Sequence, residues 1–384
     1  MTPRAPPEPV IVAARRSAFG RAGGRFRDRS ADQLAAPAIR AVLADAGLAP
    51  TAVDAVLLGN ALEGGNMARV AALAAGLPAS VPALTLDRQC AAGLDAVVEA
   101  VARVAAGRAR VVIAGGLESC STAPWRLAPP TRPHPPPRFH DPPPISAGAH
   151  GDPDPVPAAA ALLHAQAIDR RAQDAWAARS HANAVAAEAA GCFAAERVAV
   201  PGACDGGPDE APKPGLDAAR LGRLRPLSAD SGPITAGTTA PEADGAAVLL
   251  VVAGDLADTQ GLRRRLRLLD AAESACAPAE AGLAAVPAIG TLAARRGRAD
   301  WEDLDAVAFT EAFAGQALAC LRAAGLPEAR TNPHGGAVAF GHPYGASGAL
   351  LALRLFHDLA PGRTGLAAVS AMGGQGTAAL VQAI

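Results

Sequence analysis

Two short segments of this 384-residue chain carry side chains suited to nucleophilic chemistry. Cys90 stands in DRQCAAGLDAV, where a strand-like run gives way to a helical one. Unpaired N–H groups at a helix start, together with the helix dipole, favour a thiolate over a thiol there. The small Ala91, Ala92 and Gly93 beside it leave room for a substrate. The competing reading of the same residue is a free cysteine used as a small hydrophobe. His342 stands in GGAVAFGHPYGASGAL, between glycines and directly before Pro343. Such a loop holds an imidazole at the mouth of a helix, where it serves as base to a cysteine nucleophile. Its glycines admit close approach of a ligand and offer N–H groups to a carbonyl oxygen that turns negative in acyl transfer.

Other groups with chemical potential are placed less tellingly. Cys120, Cys192, Cys204, Cys276 and Cys320 form no C-x-x-C pair, so neither a zinc knuckle nor a disulfide framework is expected, and Cys320 lies in an apolar helical stretch as core filling. His134, His140 and His150 lack metal-ligand spacing, and no metal is expected. Trp125 and Trp301 fit a pocket wall or a core cap equally well.

The elements that must position Cys90 and His342 follow from periodicity. PVIVAARRSAF reads as a strand, ADQLAAPAIRAVLADAGL as a helix stopped by Gly47, AVLLGNAL as a strand, 66–76 as a helix and ARVVIAGG as a buried strand. Leu94, Val97, Val98, Val101 and Val104 mark one face of a long helix after Cys90. Between Ser119 and about Pro157 the proline-crowded run APPTRPHPPPRFHDPPP excludes helix and central strand and reads as a surface excursion. A helical stretch spans about 159–190, and AAVLLVVAG is a strand at 246–254. The last third repeats the first in kind, with strand AVAFT, helix EAFAGQALACLRAAGL, a glycine-rich turn and helix from Gly335, and a final strand–turn–strand. Two similar α/β halves flanking an inserted loop domain is the simplest architecture; a single doubly wound sheet is the alternative.

Half the residues are apolar, which excludes disorder as the main state, and only 3% are aromatic. Lys+Arg 35 against Asp+Glu 36 gives no field for nucleic acid or an anionic membrane. No apolar stretch approaches bilayer length, and the proline-rich start lacks a signal-peptide core, so a cytoplasmic location is expected.

DRQCAAGL, AGGLES, TAGTTAPEADGAA, TEAFAGQA, NPHGGAVAFGHPYGASGA and SAMGGQGTA occur in the order and spacing of the thiolase family, which the chain resembles over nearly its whole length. VIVAARRSAFGRAGG and NMARVAALAAG look like that family's first two blocks. The resemblance implies two βαβαβαββ halves in a five-layer αβαβα arrangement: residues 1–118 with 232–256, and residues 257–384, with a cover-loop domain at 119–231. It further implies a homodimer or homotetramer with no permanently bound cofactor, acting on coenzyme A thioesters. Cys90 would be acylated, with His342 as its base.

Several positions depart from the family pattern. Ser370 stands where a second cysteine shuttles the α-proton, and a serine hydroxyl is far harder to ionise than a thiol. Thr310 stands where Asn or His serves the oxyanion site. Thr238, Thr239, Ala240 and Pro241 replace the residues near the pantetheine arm. Arg220, Arg223 and Arg225 match a basic stretch that faces CoA phosphates in relatives, which makes Arg220 and Arg223 expected substrate contacts, with a solvated basic face as the competing reading. Ala240, Gly341, Tyr344 and Gly374 complete the expected substrate contacts, with Tyr344 narrowing the acyl pocket where relatives carry an aliphatic residue. The changes at Ser370 and Thr310 point to an acyltransferase with an acyl-CoA or acyl-carrier-protein donor and a specialised acceptor. The alternatives are ordinary acetyl-CoA C-acyltransferase chemistry, by thiolysis or Claisen condensation, and a catalytically silent thiolase-like subunit.

Overall fold

The computed structural model describes residues 8–127, 129, 139, 144–297 and 300–384. Its strands are β1 (Pro9–Ser17), β2 (Gly20–Arg21), β3 (Ala55–Gly59), β4 (Ala83–Leu86), β5 (Val111–Ser119), β6 (Arg197–Val198), β7 (Ala243–Ala253), β8 (Leu266–Ala275), β9 (Ala306–Phe309), β10 (Thr364–Ala371) and β11 (Gln375–Ala383). Its helices are α1 (Ala31–Asp45), α2 (Met67–Ala74), α3 (Ala92–Ala105), α4 (Pro155–Ala165), α5 (Arg170–Ala189), α6 (Ala218–Leu221), α7 (Gly254–Thr259), α8 (Ala285–Arg296), α9 (Ala314–Ala324), α10 (Ala337–Phe340) and α11 (Tyr344–Asp358).

Strand order is β4-β3-β5-β7-β1-β8-β11-β10-β9, with β1 and β8 joined at Ile11 and Leu266. The two sides of that junction carry the same pattern of directions. In the first, β3 runs parallel to β4 and β5, and β7 antiparallel to β5 and β1. In the second, β9 runs parallel to β10 and bridges Thr331 in parallel, and β11 is antiparallel to β10 and β8.

Both sheet faces are covered, which is why β5 as far as Leu117 and β7 from Gly245 read as unbroken apolar runs and both strands are buried throughout. Alternate residues feed separate cores: Val248, Leu250 and Val252 of β7 pack with α1 and α2, while Ala247, Leu249 and Val251 pack with α3 and α11. Leu366 and Ala368 of β10 pack with α8 and α9, and Ala367 and Val369 face α3 and α11. The result is five layers, with α3 and α11 in the middle. These two helices approach at backbone distance: a Cβ at Gly348 would stand 2.7 Å from Leu94 N, and one at Gly93 would stand 2.8 Å from Ala349 N. That approach sets the relative position of the two helix starts.

Some elements differ from the sequence expectation. The helical stretch at 159–190 is two helices, because Ala167 turns left-handed at φ 51° and Asp169 caps α5 through Ala172 N–H at 2.7 Å. β8 has no clean alternation, with Arg267, Asp270 and Glu273 among its apolar residues, and its pairing is set by β11. His134 and His140 lie outside the described residues. No described helix is long and apolar enough to cross a membrane.

Candidate active site

Cys90 lies two residues ahead of α3 and His342 two residues ahead of α11, so packing of those helices brings the pair together. Cys90 Sγ is 3.0 Å from His342 Nε2, and both side chains are buried. On the other side of the ring, Nδ1 is 2.7 Å from Ser347 Oγ, one turn along α11. A proton on Nδ1 donated to Ser347 leaves Nε2 as acceptor for the thiol hydrogen. The histidine backbone is pinned by its N–H donating to Pro241 O at 2.8 Å. Gly341 before it needs φ 94°, and a Cβ there would stand 2.7 Å from Ala243 Cβ. Gln89, just before the cysteine, is held left-handed at φ 51°, with its N–H and Nε2 both donating to Asp87 Oδ1.

Electrostatically the pair is the reverse of the thiolate expected at a helix start. Burial is the largest influence on both groups: it pushes the Cys90 thiol up to about 12 and holds His342 down to about 4. The N–H groups of Cys90 and Met372 do reach the sulfur and oppose the shift, and desolvation outweighs them. Both shifts favour the uncharged forms, a thiol beside a neutral imidazole.

Cys90 and His342 form part of the wall of a cavity of about 310 Å³. Ile145, Val156 and Ala159 line it from the segment between β5 and β7, and Phe313, Gln316 and Ser370 from beyond β9. No Lys or Arg is among its described lining residues. Its two carboxylates already have partners: Asp152 accepts from Ile145 and Ser146 N–H at 3.2 Å, and Glu242 accepts from Tyr344 Oη at 2.8 Å. Among the described residues no cluster of His, Cys, Asp and Glu could hold a metal ion.

The family description "Thiolase, N-terminal domain" matches residues 9–255, and "Thiolase, C-terminal domain" matches residues 262–383. The chain belongs to the thiolase family. It is 37% identical to a Staphylococcus epidermidis protein named as an acetyl-CoA C-acetyltransferase, VraB, over 98% of both chains. It is also 37% identical to the beta-ketoadipyl-CoA thiolase of Pseudomonas aeruginosa, over 98% of this chain and 99% of that one. The crystal structure of the Bacillus anthracis acetyl-CoA acetyltransferase superposes with a TM-score of 0.89 at 30% identity, covering 99% of this chain and all of the other.

The other expected residues of this thiolase are dispersed. Ser370 and Ala240 line the cavity, and so does Tyr344, whose ring stands edge-on to His342 at 5.0 Å. Ser370 Oγ accepts from Ala285 N at 3.0 Å, at the start of α8, and is 3.7 Å from Cys320 Sγ. Cys320, expected only as core filling, thus backs the site. Thr310 does not line this cavity; its buried hydroxyl has no hydrogen-bond partner among the described residues and belongs to a smaller cavity shared with Gly341 and Ser347. Gly374 packs on Cys276, whose N–H donates to its carbonyl at 2.7 Å, and its neighbour Gly373 lines the cavity in its place. Arg220 and Arg223 are exposed on and just after α6 and do not line it, although Leu221 and Leu224 beside them pack on Gly237. Trp301 is core, whereas Trp125 is exposed and meets Phe139 edge-on at 5.6 Å.

Three contributors escaped the sequence reading. Met372 acts through its backbone alone, which no residue type reveals. Ser347 lay within the quoted GASG block, five residues from the histidine it bonds. Glu118 lay within AGGLES; it is fully buried and accepts from Ala61, Leu62 and Gly345 N–H at 2.9–3.1 Å, tying the end of β5 to the first turn of α11. Burial and the neighbouring Glu63 push its carboxyl well above the ordinary range.

Proposed function

We propose that this thiolase transfers acyl groups between coenzyme A thioesters through an acyl-enzyme on Cys90. The observation that carries the reading is the 3.0 Å approach of Cys90 Sγ to a neutral His342 Nε2 at a substrate-sized cavity. Sγ attacks the thioester carbonyl while its proton passes to Nε2, and the oxygen turns negative beside the N–H groups of Cys90 and Met372. Collapse breaks the carbon–sulfur bond to CoA, whose sulfur takes the proton back from Nε2. One thioester is exchanged for another, and no bound cofactor is needed.

The second half-reaction decides the chemistry. The names of the relatives, an acetyl-CoA C-acetyltransferase and a beta-ketoadipyl-CoA thiolase, fit ordinary thiolysis or condensation better than the specialised acceptor that Ser370 first pointed to. We therefore place carbon–carbon chemistry first. The hydroxyl of Ser370 favours a second reading, in which the acceptor is a decarboxylated malonyl-type thioester or a nitrogen or oxygen nucleophile needing no α-proton base. A cavity without described cations supports uncharged acyl groups over those ending in a carboxylate. The unpaired edge of β4 with Leu84, and Val70 and Leu73 on α2, supports a homodimer through that face. Six free cysteines suit the reducing cytoplasm.

Mixing the protein with acetyl-CoA should give an acetyl adduct on Cys90 by mass spectrometry, absent in Cys90→Ala. Cleavage of acetoacetyl-CoA by CoA should follow, faster than cleavage of beta-ketoadipyl-CoA by at least about tenfold. No adduct with any of a panel of acyl-CoAs refutes the acyl-enzyme; an adduct without cleavage moves the assignment to the second reading.

A further inference from the structure

A cavity of about 30 Å³ is lined by Gly341 and Ser347, the chain neighbour and the Nδ1 partner of His342, and among others by Thr310, Asn332 and Arg354. That volume suits one water molecule, and the polar groups around it match a water's needs. If Nε2 is to take the Cys90 proton, Nδ1 must carry a hydrogen and give it to Ser347 Oγ at 2.7 Å. The hydroxyl hydrogen of Ser347 must then go elsewhere, since the opposite arrangement would leave Nε2 protonated and useless as a base. Among the described residues Ser347 Oγ makes no other hydrogen bond. Across the same cavity Thr310 Oγ1 and Arg354 Nη2 are buried without hydrogen-bond partners among the described residues. Asn332, the remaining side-chain amide there, is committed: its Oδ1 accepts from Phe309 N at 2.9 Å, and its Nδ2 donates to Phe309 O and Glu311 Oε1 at 2.8 Å.

We propose that Thr310 is a positioning residue acting through one water in this cavity: Ser347 donates to the water, the water donates to Thr310 Oγ1, and His342 is thereby held in its base-competent tautomer. Arg354 Nη2 donates to the same water oxygen. The relay runs Cys90, His342, Ser347, water, Thr310, with each hydroxyl or ring nitrogen oriented by the next. It places the influence of Thr310 on the far side of the imidazole rather than at a substrate oxygen.

This inference rests on the acyl-enzyme reading, and the test separates the two. Acetylation of Cys90 by acetyl-CoA is followed in a single turnover for the full chain and for Thr310→Val, Thr310→Ser, Ser347→Ala and the double variant Thr310→Val with Ser347→Ala. Thr310→Val should slow acetylation roughly three- to tenfold with KM within about twofold, the size expected for one lost hydrogen bond. Thr310→Ser should recover the rate to within about twofold. In the Ser347→Ala background Thr310→Val should change nothing further, because the relay is already cut. A hydroxyl with no water partner would be relieved by valine, so an unchanged rate with a raised Tm overturns the proposal. Additive losses in the double variant overturn it as well. Should the valine variant fail to fold, Thr310→Ala is read against the same criteria. Loss of adduct in the unsubstituted protein would sink the acyl-enzyme reading itself, whereas normal acetylation in Thr310→Val sinks only the relay.

Discussion

The two halves use equivalent backbone positions for different work. Gly59 of β3 pairs with Gly116 of β5, and Phe309 of β9 pairs with Ala368 of β10, so Asn60 matches Thr310 and Glu118 matches Ser370. The hairpin partners agree, with Glu118 opposite Gly245 and Ser370 opposite Gly376. Cys90 and His342 likewise occupy the same place ahead of their central helices. In the first half the strand ends form a closed clamp: Asn60 Nδ2 donates to Glu118 Oε1 at 2.8 Å, and Glu118 Oε2 takes the Gly345 N–H of the other half. In the second half Thr310 and Ser370 belong to the walls of cavities. A duplicated scaffold thus converges two loop pairs on one point, and the side chains divide rigidity from access. The central helices are held reciprocally, since Thr377 of the second half donates to Asp95 on α3 at 2.6 Å.

Changes in the clamp should therefore act on stability, and changes at the open positions on turnover. The largest effect is expected at the convergence point: Cys90→Ala should lower acyl transfer by roughly 10⁴-fold or more with the thermal transition in place, read by steady-state kinetics and calorimetry. Glu118→Ala leaves three N–H groups without their acceptor and should destabilise by about 4 kcal/mol in denaturant titration. A stable Glu118→Ala protein with depressed kcat would reverse the division.

Asp95 gives a pH test of the reciprocal clamp. Burial raises its carboxyl to about 6, against an ordinary value of 3.8, although Thr377 and Arg88 pull it down. The folded chain therefore holds a proton between about pH 4 and 6 that the unfolded chain has lost, so this group makes stability fall as pH rises through that window. Asp95→Asn should remove a slope amounting to about 3 kcal/mol, measured as denaturation midpoints at pH 4 and 7. His342 works in the opposite sense: held near 4, it loses stability as pH falls from about 6.5. The smallest change is expected at the open position. Ser370→Cys would put a thiol beside Ala285 N–H at the start of α8, and acetoacetyl-CoA cleavage should rise about tenfold if α-proton transfer limits turnover. An unchanged rate would mean that Ser370 or a bound water already serves.

Much of the fold could be read in advance because it rests on local patterns. β5, β7, β10 and β11 are apolar runs bounded by glycine, and α1, α3, α9 and α11 carry apolar residues at helical spacing. β8 was not legible, since its strand character comes from pairing with β11 rather than from its own alternation. At the site, Cys90, His342 and Ser370 stood in distinctive glycine-rich blocks, whereas Met372, Ser347 and Glu118 did not declare themselves. Their contributions depend on a backbone N–H, a rotamer and a partner more than fifty residues away.

By itself, then, the sequence determined the family, the alternation of strands and helices, and the two helix starts that carry Cys90 and His342. Only the tertiary structure decided that they meet at 3.0 Å as a neutral pair, and that Thr310 stands apart from the substrate cavity while Ser370 and Tyr344 help enclose it. The reason is that desolvation and hydrogen-bond geometry belong to what packs around a residue. The helix-start effect on Cys90 is written in its neighbours along the chain; the burial that outweighs it is supplied by layers that the chain reaches only after folding.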